Sequence, residues 1–537
     1  MQHRTTGALA IAIVALFITS CSSAPPATSD TTATSDKPYG SLTIVQSVYR
    51  DDEAFDPSRR SCPTPHYALG AAIFDSLIEL TPNADPSKPG LAERWEIAAD
   101  GLSHTFFIRK GVKFHNGDDL TAADVKFSFD TVMAPTSSGC DAGPWRAAIS
   151  SVEIKDPYTV VLRLKSPQFE LLKGFNDFGA SQAVIPKKYI EEKGWDNFVR
   201  NPIGSGIWKL AEYKPGVKVV LEAVEDHWRA TPKFKTITVL PVSEEASRVA
   251  MLKTGELDIA MVSPDSVPGL KAAGLKVFPF DGGAENYIRL HWDLDHPELY
   301  PIGDVRVRKG LSLAMDRPEL AKSLFGGYGR PSGMYYVRPS ATFFDANLLK
   351  PDPFDPEGAK KLFAQGGYPT GFTMKLWVGT ERPTLEGTFV QAVAGYWRKV
   401  GVNAETVPID TAAVLGPWYR ARPVNPQIYN TGWSRTASGA LQFEKVVTVY
   451  SFSKGSVGNC KDPKLDELID KVPLTRDPVE KNKIALEASI RARDLYCMIP
   501  GLNMDTILVT GPKVGEVVPI KAIEGLAPIL ENITHAK

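Results

Sequence analysis

The amino terminus of the chain carries one apolar segment that is too short to cross a membrane. It runs from about Ala8 to Ile18, follows Arg4 and ends three residues before Cys21. A spanning helix needs about 20 apolar residues, whereas a basic residue, a short apolar core and small residues before a cleavage point are typical of an export signal. No later stretch reaches about 18 uninterrupted apolar residues, so the remaining chain must bury its apolar side chains in globular cores. Roughly 500 residues are enough for two or three domains.

The residues around Cys21 indicate how the chain would be processed. Ile18-Thr19-Ser20-Cys21 resembles the bacterial lipobox, with Ile where Leu is commoner. The resemblance implies cleavage before Cys21 and a diacylglycerol on its sulfur; the alternative is a plain signal peptide with an incidental cysteine. Residues 22–36 contain only Ser, Thr, Ala, Pro and Asp, which cannot build a core. We therefore expect a signal peptide at 1–20 and a lipid-anchored flexible tether at 21–37, holding the protein in the periplasm or on the outer face of the cytoplasmic membrane.

Charge and cysteine content narrow the possible partners and sites. Lys and Arg number 61 against 62 Asp and Glu, which argues against a nucleic acid partner. Four cysteines follow Cys21 and form no CxxC pair, so neither a zinc ribbon nor a thioredoxin-type site is expected. Outside the cytoplasm these four cysteines could form disulfides in three connectivities. We prefer Cys62–Cys140 with Cys460–Cys497, because each pair lies in one region of the chain; four free thiols are the alternative.

Strand and helix patterns alternate along the body without regular βαβ units. Apolar periodicity predicts strands at 40–45, 105–109, 160–164 and 236–240, and helices at 67–80 and 246–254. Thr121 and Asp124 have the spacing of a capping box. Asp304, Asp355 and Asp477 each precede a helical pattern, the last two with proline at the first helical position. This mixture predicts an α/β protein with discontinuous domains.

No motif in the chain argues for catalysis. HExxH, Walker A, GxSxG and a GxGxxG ahead of a helix are all absent from the sequence. Gly204-Ser205-Gly206 lacks the partners of a phosphate or nucleophile loop and is interpreted as a tight turn before a strand. His291 and His296 are five apart, a spacing that shares neither a helix face nor a strand face. We therefore expect no enzyme activity, no metal site and no cofactor.

A series of motifs resembles a known family. TFFIRKGVKFHNG at 105–117, continued by TAADVKFS at 121–128, is similar to a signature of the family 5 extracellular solute-binding proteins, the dipeptide, oligopeptide and nickel class that serves ABC importers. Further matches follow in order at 202–208, 226–232, 248–258, 304–308, 314–317 and 355–360. The resemblance extends over residues 40–530 and is specific, because several motifs recur in order at the spacing of the family.

The resemblance implies a two-lobed clamshell of the periplasmic-binding-protein type (type II, cluster C) with an extra domain. The implied ranges are 38–65, 196–284 and 491–537 for lobe I, 66–195 for the extra domain and 285–490 for lobe II. Solute would bind between the lobes, and hinge residues near 280 and 490 would absorb the closing motion. The implied partners are a small-molecule or short-oligomer solute, a permease dimer and its cytoplasmic ATPases, with the receptor itself a monomer.

The pocket segment departs from the family pattern. In peptide-binding members, a segment like the one after Trp433 carries an Asp that pairs with the peptide amino terminus. Here Thr436 stands at about that position, and no acid lies between Asp410 and Glu444. A buried ammonium without a counter-charge is strongly disfavoured, whereas Arg435 offers a guanidinium fork suited to carboxylate or phosphate. We expect a peptide-like cargo or, because the acid is missing, an anionic, opine-like or oligosaccharide solute.

Polar and aromatic residues that face a cleft are the usual contacts of a bound solute. The candidates are Trp433, Arg435, Thr436, Trp377, Arg382, Tyr287 and Trp145. Two other functions stay open. A secreted cell-surface hydrolase would need a nucleophile or an acid pair in the cleft, and a ligand sensor would present its closed form to a membrane receptor.

Overall fold

The computed structural model describes residues 37–45, 55–58, 66–79, 88–137, 142–169, 171–172, 183–291, 297–334, 344–379, 383–409, 431–437, 461–496, 498–517 and 530–536. All of them belong to one unit, Lys37–Lys537. The predicted signal peptide and all of the predicted tether except Lys37 lie outside these ranges, as do Cys21, Cys62, Cys140, Cys460 and Cys497. Within the described ranges, no helix is both long enough and apolar enough to cross a membrane.

Strands and helices alternate irregularly, as the sequence predicts. The described strands are β1 (Ser41–Val45), β2 (Ala92–Ile97), β3 (Ser103–Ile108), β4 (Ile149–Asp156), β5 (Thr159–Leu164), β6 (Trp208–Lys214), β7 (Lys218–Ala223), β8 (Thr236–Leu240), β9 (Ile259–Val262), β10 (Lys276–His291), β11 (Gly329–Pro331), β12 (Phe372–Gly379), β13 (Val402–Ile409), β14 (Thr431–Ala437) and β15 (Met498–Thr510). The described α-helices are α1 (His66–Ile73), α2 (Ala122–Met133), α3 (Ala142–Ala148), α4 (Lys187–Lys193), α5 (Trp195–Arg200), α6 (Glu245–Thr254), α7 (Val267–Ala272), α8 (Val305–Leu313), α9 (Arg317–Phe325), α10 (Pro356–Gln365), α11 (Pro383–Arg398), α12 (Pro463–Lys471) and α13 (Pro478–Asp494).

Helix starts follow the signals in the sequence. Thr121 and Asp124 form a reciprocal capping box at α2. Asp304, Asp355 and Asp477 cap α8, α10 and α13, each accepting a hydrogen bond from a backbone N–H two or three residues later. Such caps satisfy N–H groups that have no partner in the first turn of a helix. These predictions of helix starts are confirmed.

The first helix is shorter than its apolar pattern predicts. The pattern extends over 67–80, but α1 ends at Ile73, because other segments take the carbonyl groups that follow. The Gly206 N–H donates to the Ile73 carbonyl, and the Val184 N–H donates to the Asp75 carbonyl. A Cβ atom at Gly204 would lie 2.0 Å from the Ile73 carbonyl oxygen. Gly204 and Gly206 therefore allow two backbones to approach closely. The sequence had suggested instead that they supply turn conformations.

Two sheets organise the described residues. The larger has the strand order β13-β12-β14-β10-β15-β9-β1-β8-β7-β6, with β11 paired to β15, and the smaller is an antiparallel β2-β3-β5-β4 sheet. In the larger sheet, β10 and β15 are antiparallel and connect two sets of parallel strands. Their ladder is interrupted between the pairs Phe280–Thr506 and Ala284–Met504, which leaves residues 281–283 opposite Asp505.

Buried apolar side chains form several separate cores. One packs β1 and β6–β8 against α1, α4 and α5. A second lies between the small sheet and α2 and α3. A third packs β10, β12 and β13 against α8–α11, and a fourth brings Tyr287 and Met498 together with α12 and α13. Separate cores built from mixed strands and helices confirm the predicted α/β class, while the exact domain limits stay predictions.

Candidate functional site

Two sets of parallel strands in the large sheet each have a reversal of strand order. In the first set β1 lies between β8 and β9, and in the second β12 lies between β13 and β14. In open α/β sheets, ligands bind outside the carboxyl ends of the strands at such a reversal. We call the carboxyl ends of β1, β8 and β9 the first edge, and those of β12, β13 and β14 the second edge.

Both edges lie beside the interruption in the β10–β15 ladder. The last residue of β9 pairs with Ile507, and the last residue of β14 pairs with Glu285. Glu285 in turn pairs with Asn503 on β15. Ile507 and Asn503 each lie two residues from Asp505, so the two edges converge from opposite sides on residues 281–283 and 505. The register of the strands thus defines the candidate site.

At the first edge, a carboxylate connects the start of α6 to the turn after β9. Glu245 Oε1 accepts hydrogen bonds from the Ser263 N–H at 2.9 Å, the Ser263 hydroxyl at 2.7 Å and the Ser266 hydroxyl. Burial by itself raises the pKa of Glu245, but the hydrogen bonds from Ser266 and Ser263 and the charge of Arg248 outweigh burial, so the pKa lies below its ordinary 4.5. The carboxylate is therefore ionised at neutral pH.

A second group at the first edge stabilises the backbone around it. The Arg248 guanidinium donates to the carbonyl oxygens of Val242 at 3.1 Å and Met261 at 3.2 Å, and to that of Ser243. These carbonyls belong to the segments that follow β8 and end β9. Arg248 thus connects the ends of β8 and β9 through hydrogen bonds. The polar groups described at the first edge have their hydrogen-bond partners in neighbouring residues.

A row of polar side chains on β10 begins beside the second edge at Glu285 and extends back along β14 to His291. Glu285, Tyr287, Arg289 and His291 are spaced two apart, so they share one face of the strand, and each is between 0 and 3% exposed. The Arg289 guanidinium donates to the Tyr287 hydroxyl at 3.5 Å. The Ser332 hydroxyl lies 3.1 Å from Glu285 Oε1. Buried charges of this kind are costly unless they are paired and hydrogen-bonded, which makes the row unusual for an apolar sheet.

The imidazole at the end of this row is neutral. Burial, with a smaller contribution from the Arg289 charge, lowers the pKa of His291 from 6.5 to about 3. Of these two side chains, only Arg289 is therefore positively charged at neutral pH, because His291 takes up no proton.

A cavity of about 220 Å³ lies beside the start of β15, where Met498 and Pro500 belong to its lining and pair with Arg289 and Tyr287 of the row. Met334 and Met498 line it, and both also pack with Tyr287. Charged and polar groups complete the lining: Arg317, Ser332, Asn347, Lys350, Asp352, Arg493, Asp494 and Tyr496. The cavity is smaller than a typical pocket for a whole ligand, roughly 300–1,000 Å³, so its volume suits part of a solute.

Strand β14 carries three of the candidates from the sequence. Register pairs Trp433 with Arg289, Arg435 with Tyr287 and Thr436 with Asn286. Directly paired residues belong to the same face of a sheet, so Trp433 and Arg435 belong to the face of the β10 row and Thr436 to the other face. Trp377 on β12 pairs with Trp433 from the opposite side and is buried. The register therefore groups Trp433, Arg435 and Trp377 with Tyr287 on one face of the sheet and leaves Thr436 on the other face.

Other candidates are elsewhere or outside the described residues. Trp145 is buried in the core beside the small sheet, where its ring is edge-on to Phe129 at 5.9 Å between centroids, so it does not join the others. Arg382 lies outside the described residues. Glu285 and Arg289 are not among the residues predicted from the sequence, although the alternation of this strand with apolar Ile288 and Leu290 is a signal for them. Among the residues that the structure describes, no group of three or more His, Cys, Asp or Glu could hold a metal ion.

Comparison with known proteins adds three findings. Residues 87–443 match the model of the bacterial extracellular solute-binding proteins, family 5. The glutathione-binding protein GsiB of Escherichia coli O1:K1 is 27% identical over 459 residues, covering 83% of this chain and 86% of that protein. Two solved structures, each covering 93% of this chain and 100% of their own, are similar in fold. The ABC transporter substrate-binding protein CtaP of Listeria monocytogenes has a TM-score of 0.78 at 21% identity, and MoaA of A. tumefaciens R10, in complex with mannopinic acid, has a TM-score of 0.72 at 26% identity.

Proposed function

This chain belongs to family 5 of the bacterial extracellular solute-binding proteins, and on that premise we propose that it binds a carboxylate-bearing, peptide-like or opine-like solute at the second edge. Membership confirms the family predicted from the motif series and the type II periplasmic-binding-protein fold. The protein is an extracytoplasmic substrate-binding protein of ABC importers and not an enzyme, so the hydrolase alternative is wrong.

The observation that carries the cargo class is the pairing of Arg435 with the β10 row. Arg435 and Arg289 belong to the same face of two neighbouring strands, offset by two residues. Guanidinium groups bind carboxylates in a bidentate fork. The neighbouring cavity is lined by both signs of charge, with Asp352 and Asp494 beside Lys350 and Arg493, so the cargo class rests on the two arginines of the strands. A solute with one or more carboxylates would match these arginines.

The relatives agree with this cargo class. GsiB is named for glutathione, and MoaA was solved with mannopinic acid; both small molecules carry carboxylates and an ionisable nitrogen. A neutral oligosaccharide, which the sequence left open, offers no counterpart to the arginines. We therefore place glutathione-like peptides and opines ahead of sugars.

The interrupted ladder supports a proposal for the hinge. We propose that the two lobes move about residues 281–283 on β10 and Asp505 on β15, where the pairing of the two connecting strands is broken. The family resemblance implies crossings near 280 and 490, and the interruption favours 505 for the second. Hinges of this kind are a few residues that absorb the backbone change on closure. A lipid on Cys21 would keep such a monomeric receptor near its permease.

A thermal-shift screen with a matched pair of variants tests the cargo class. We expect glutathione or an opine such as mannopinic acid to raise the melting temperature of the protein through binding linkage, and a neutral oligosaccharide to leave it unchanged. Arg435→Gln should weaken binding by about tenfold or more, because a charge-assisted contact is lost. Arg398→Gln, at an exposed arginine near the end of α11, should bind as the wild type does. Stabilisation by neutral sugars alone would contradict the proposal.

A further inference from the structure

An arginine on one side of the proposed hinge contacts an aromatic ring on the other side. The Arg476 guanidinium carbon lies 4.8 Å from the centre of the Phe169 ring. Arg476 belongs to the turn between α12 and α13, in the range implied for lobe II, and Phe169 follows β5, in the range implied for the extra domain. A cation within about 6 Å of a ring centre is attracted by the electron-rich face of the ring. The two parts of the chain therefore have a direct contact that is separate from the β10–β15 ladder.

Phe169 is fixed to the small sheet. The Gln168 N–H donates to the Gly101 carbonyl at 2.9 Å, and the Gln168 carbonyl oxygen lies 2.7 Å from His104 Nε2. A Cβ atom at Gly101 would lie 2.7 Å from the Phe169 ring, so the ring packs directly on the turn between β2 and β3. Leu171, two residues further on, is buried in the core beside this sheet. The ring therefore moves with the small sheet.

Arg476 is fixed to a different core. The Thr475 N–H donates to the Val472 carbonyl, and Asp477 caps α13, so the backbone on both sides of Arg476 is held by hydrogen bonds. Val472 is buried in the core of α12 and α13, which also contains Tyr287 of β10. Tyr287 lies on the side of the interrupted ladder away from the first edge. The guanidinium therefore moves with the part of the sheet beyond the hinge.

The small sheet is joined to the other side of the hinge. His115 follows β3, and its N–H donates to the Gly204 carbonyl at 2.8 Å. Its Nδ1 accepts from the Gly204 N–H at 3.2 Å, and its Nε2 donates to the Gly206 carbonyl at 2.9 Å. Gly206 leads into β6, which packs in the core with β1. A rotation about the proposed hinge therefore changes the distance between Arg476 and Phe169, and opening of the lobes would separate the two side chains.

We propose that Arg476 and Phe169 form a latch that holds the two sides of the hinge in the closed arrangement. An exposed cation–π contact should shift the equilibrium between closed and open forms by about two- to fivefold. A solute that requires the closed form then gains affinity from the latch whatever its own chemistry, because a receptor binds more tightly when its competent form is more populated. The inference uses the two-lobed fold of the family and does not depend on the cargo class.

Single-molecule fluorescence energy transfer in the full protein measures this equilibrium without any solute. Dyes attached to azide-bearing amino acids at Ile154 of the small sheet and Glu357 of α10, both exposed, report the distance between the two parts. We expect Arg476→Gln to lower the ratio of closed to open molecules by about two- to fivefold, whereas Arg476→Lys should keep most of the closed population, because an ammonium is also attracted by the ring. A wild type without closed molecules, or equal ratios in the wild type and Arg476→Gln, overturns the latch.

A double-mutant cycle tests whether the two side chains act on each other. Phe169→Leu keeps an apolar side chain on the turn but removes the aromatic face, so it should shift the ratio as Arg476→Gln does. The double variant should shift the ratio no further, because both changes remove the same contact. Lys483→Gln, at a cation on α13 whose side chain is 73% exposed, is the matched control and should behave as the wild type. Multiplying effects of the two latch substitutions, or an equal shift by Lys483→Gln, would contradict a direct contact.

Titration with glutathione and with mannopinic acid separates the latch from the proposed function. We expect Arg476→Gln to weaken both ligands by the same factor, since the latch acts on closure. If neither ligand binds while the ratio of closed molecules still falls in Arg476→Gln, the cargo class is wrong and the latch stands. If both ligands bind the wild type and Arg476→Gln equally and the ratio is unchanged, the latch is wrong and the cargo class stands.

Discussion

The first and second edges present polar groups at the ends of parallel strands in different ways. At the first edge, the Glu245 side chain is 31% exposed, and serines from an adjacent turn donate to it. At the second edge, the row from Glu285 to His291 is at most 3% exposed. Water can assist the first arrangement but not the second, where protein groups or a ligand must balance each charge. The two arrangements therefore differ in how far water, rather than protein groups, can balance their charges.

Two arginines make the comparison quantitative, because both donate to backbone carbonyls. Arg317, the first residue of α9, is 1% exposed. Its guanidinium donates to the Pro500 carbonyl at 2.8 Å and to the carbonyl and hydroxyl of Ser312. Pro500 pairs with Tyr287 of the polar row. At the first edge, the Arg248 side chain is 13% exposed. The two sites differ mainly in their access to water.

The largest expected effect is that of Arg317→Met. The substitution leaves three buried acceptors without their donor, which should lower the free energy of unfolding by about 3 kcal/mol. Urea unfolding followed by circular dichroism measures the loss. Arg398→Met at an exposed position serves as the control. A loss below about 1 kcal/mol would show that the carbonyls find other donors.

The next effect is a pH dependence that comes from His291, at the far end of the β10 row. The folded protein keeps His291 neutral because its pKa is lowered to about 3, whereas the unfolded chain binds a proton near 6.5. The unfolded state thus holds more protons between these values, so stability is full above 6.5 and is lost as the pH falls towards 3. From pH 8 to pH 5 the loss should be about 2 kcal/mol. His291→Gln should remove this part of the profile, and an unchanged profile would contradict the assignment.

A smaller loss is expected for Arg248→Met at the first edge. The same kind of contact to carbonyls is removed, but water reaches this site, so we expect about 1 kcal/mol in the free energy of unfolding. The measurement is the urea unfolding used for Arg317. If the two arginine substitutions lower the free energy of unfolding equally, exposure does not distinguish the two edges, and the comparison fails.

The smallest expected effect is that of Glu245→Gln. The pKa of Glu245 is lowered from 4.5, so its contribution to stability is present above that value and is lost as the pH falls through the lower folded pKa. The substitution should cost less than about 1 kcal/mol at neutral pH and should flatten the stability profile only below pH 4.5. Loss of the dependence above pH 5 in this variant would instead assign the acid sensitivity to the first edge.

Sequence patterns predicted the structure correctly where the interactions join residues that are close together in the chain. Capping by Asp304, Asp355 and Asp477 depends on side chains that reach N–H groups two or three residues away, so a short pattern is sufficient. The predicted length of α1 was wrong, because the N–H groups of Gly206 and Val184, more than 100 residues further on, donate to the carbonyl groups at its end. Trp145 was chosen for its chemistry, but packing against Phe129 places it in a core.

The sequence by itself determined the family, the α/β class and the presence of Trp433 and Arg435 in a segment without an acid. Only the tertiary structure decided that Glu285 stands beside that segment. The pairing of Glu285 with Ala437 joins residues about 150 positions apart, and a shift of one residue in the register of two strands would move the whole row to the other face. No local pattern encodes such a register, because it results from the packing of both faces of the sheet at once. The absence of an acid from one strand was therefore visible in the sequence, and the acid on the neighbouring strand was visible only in the fold.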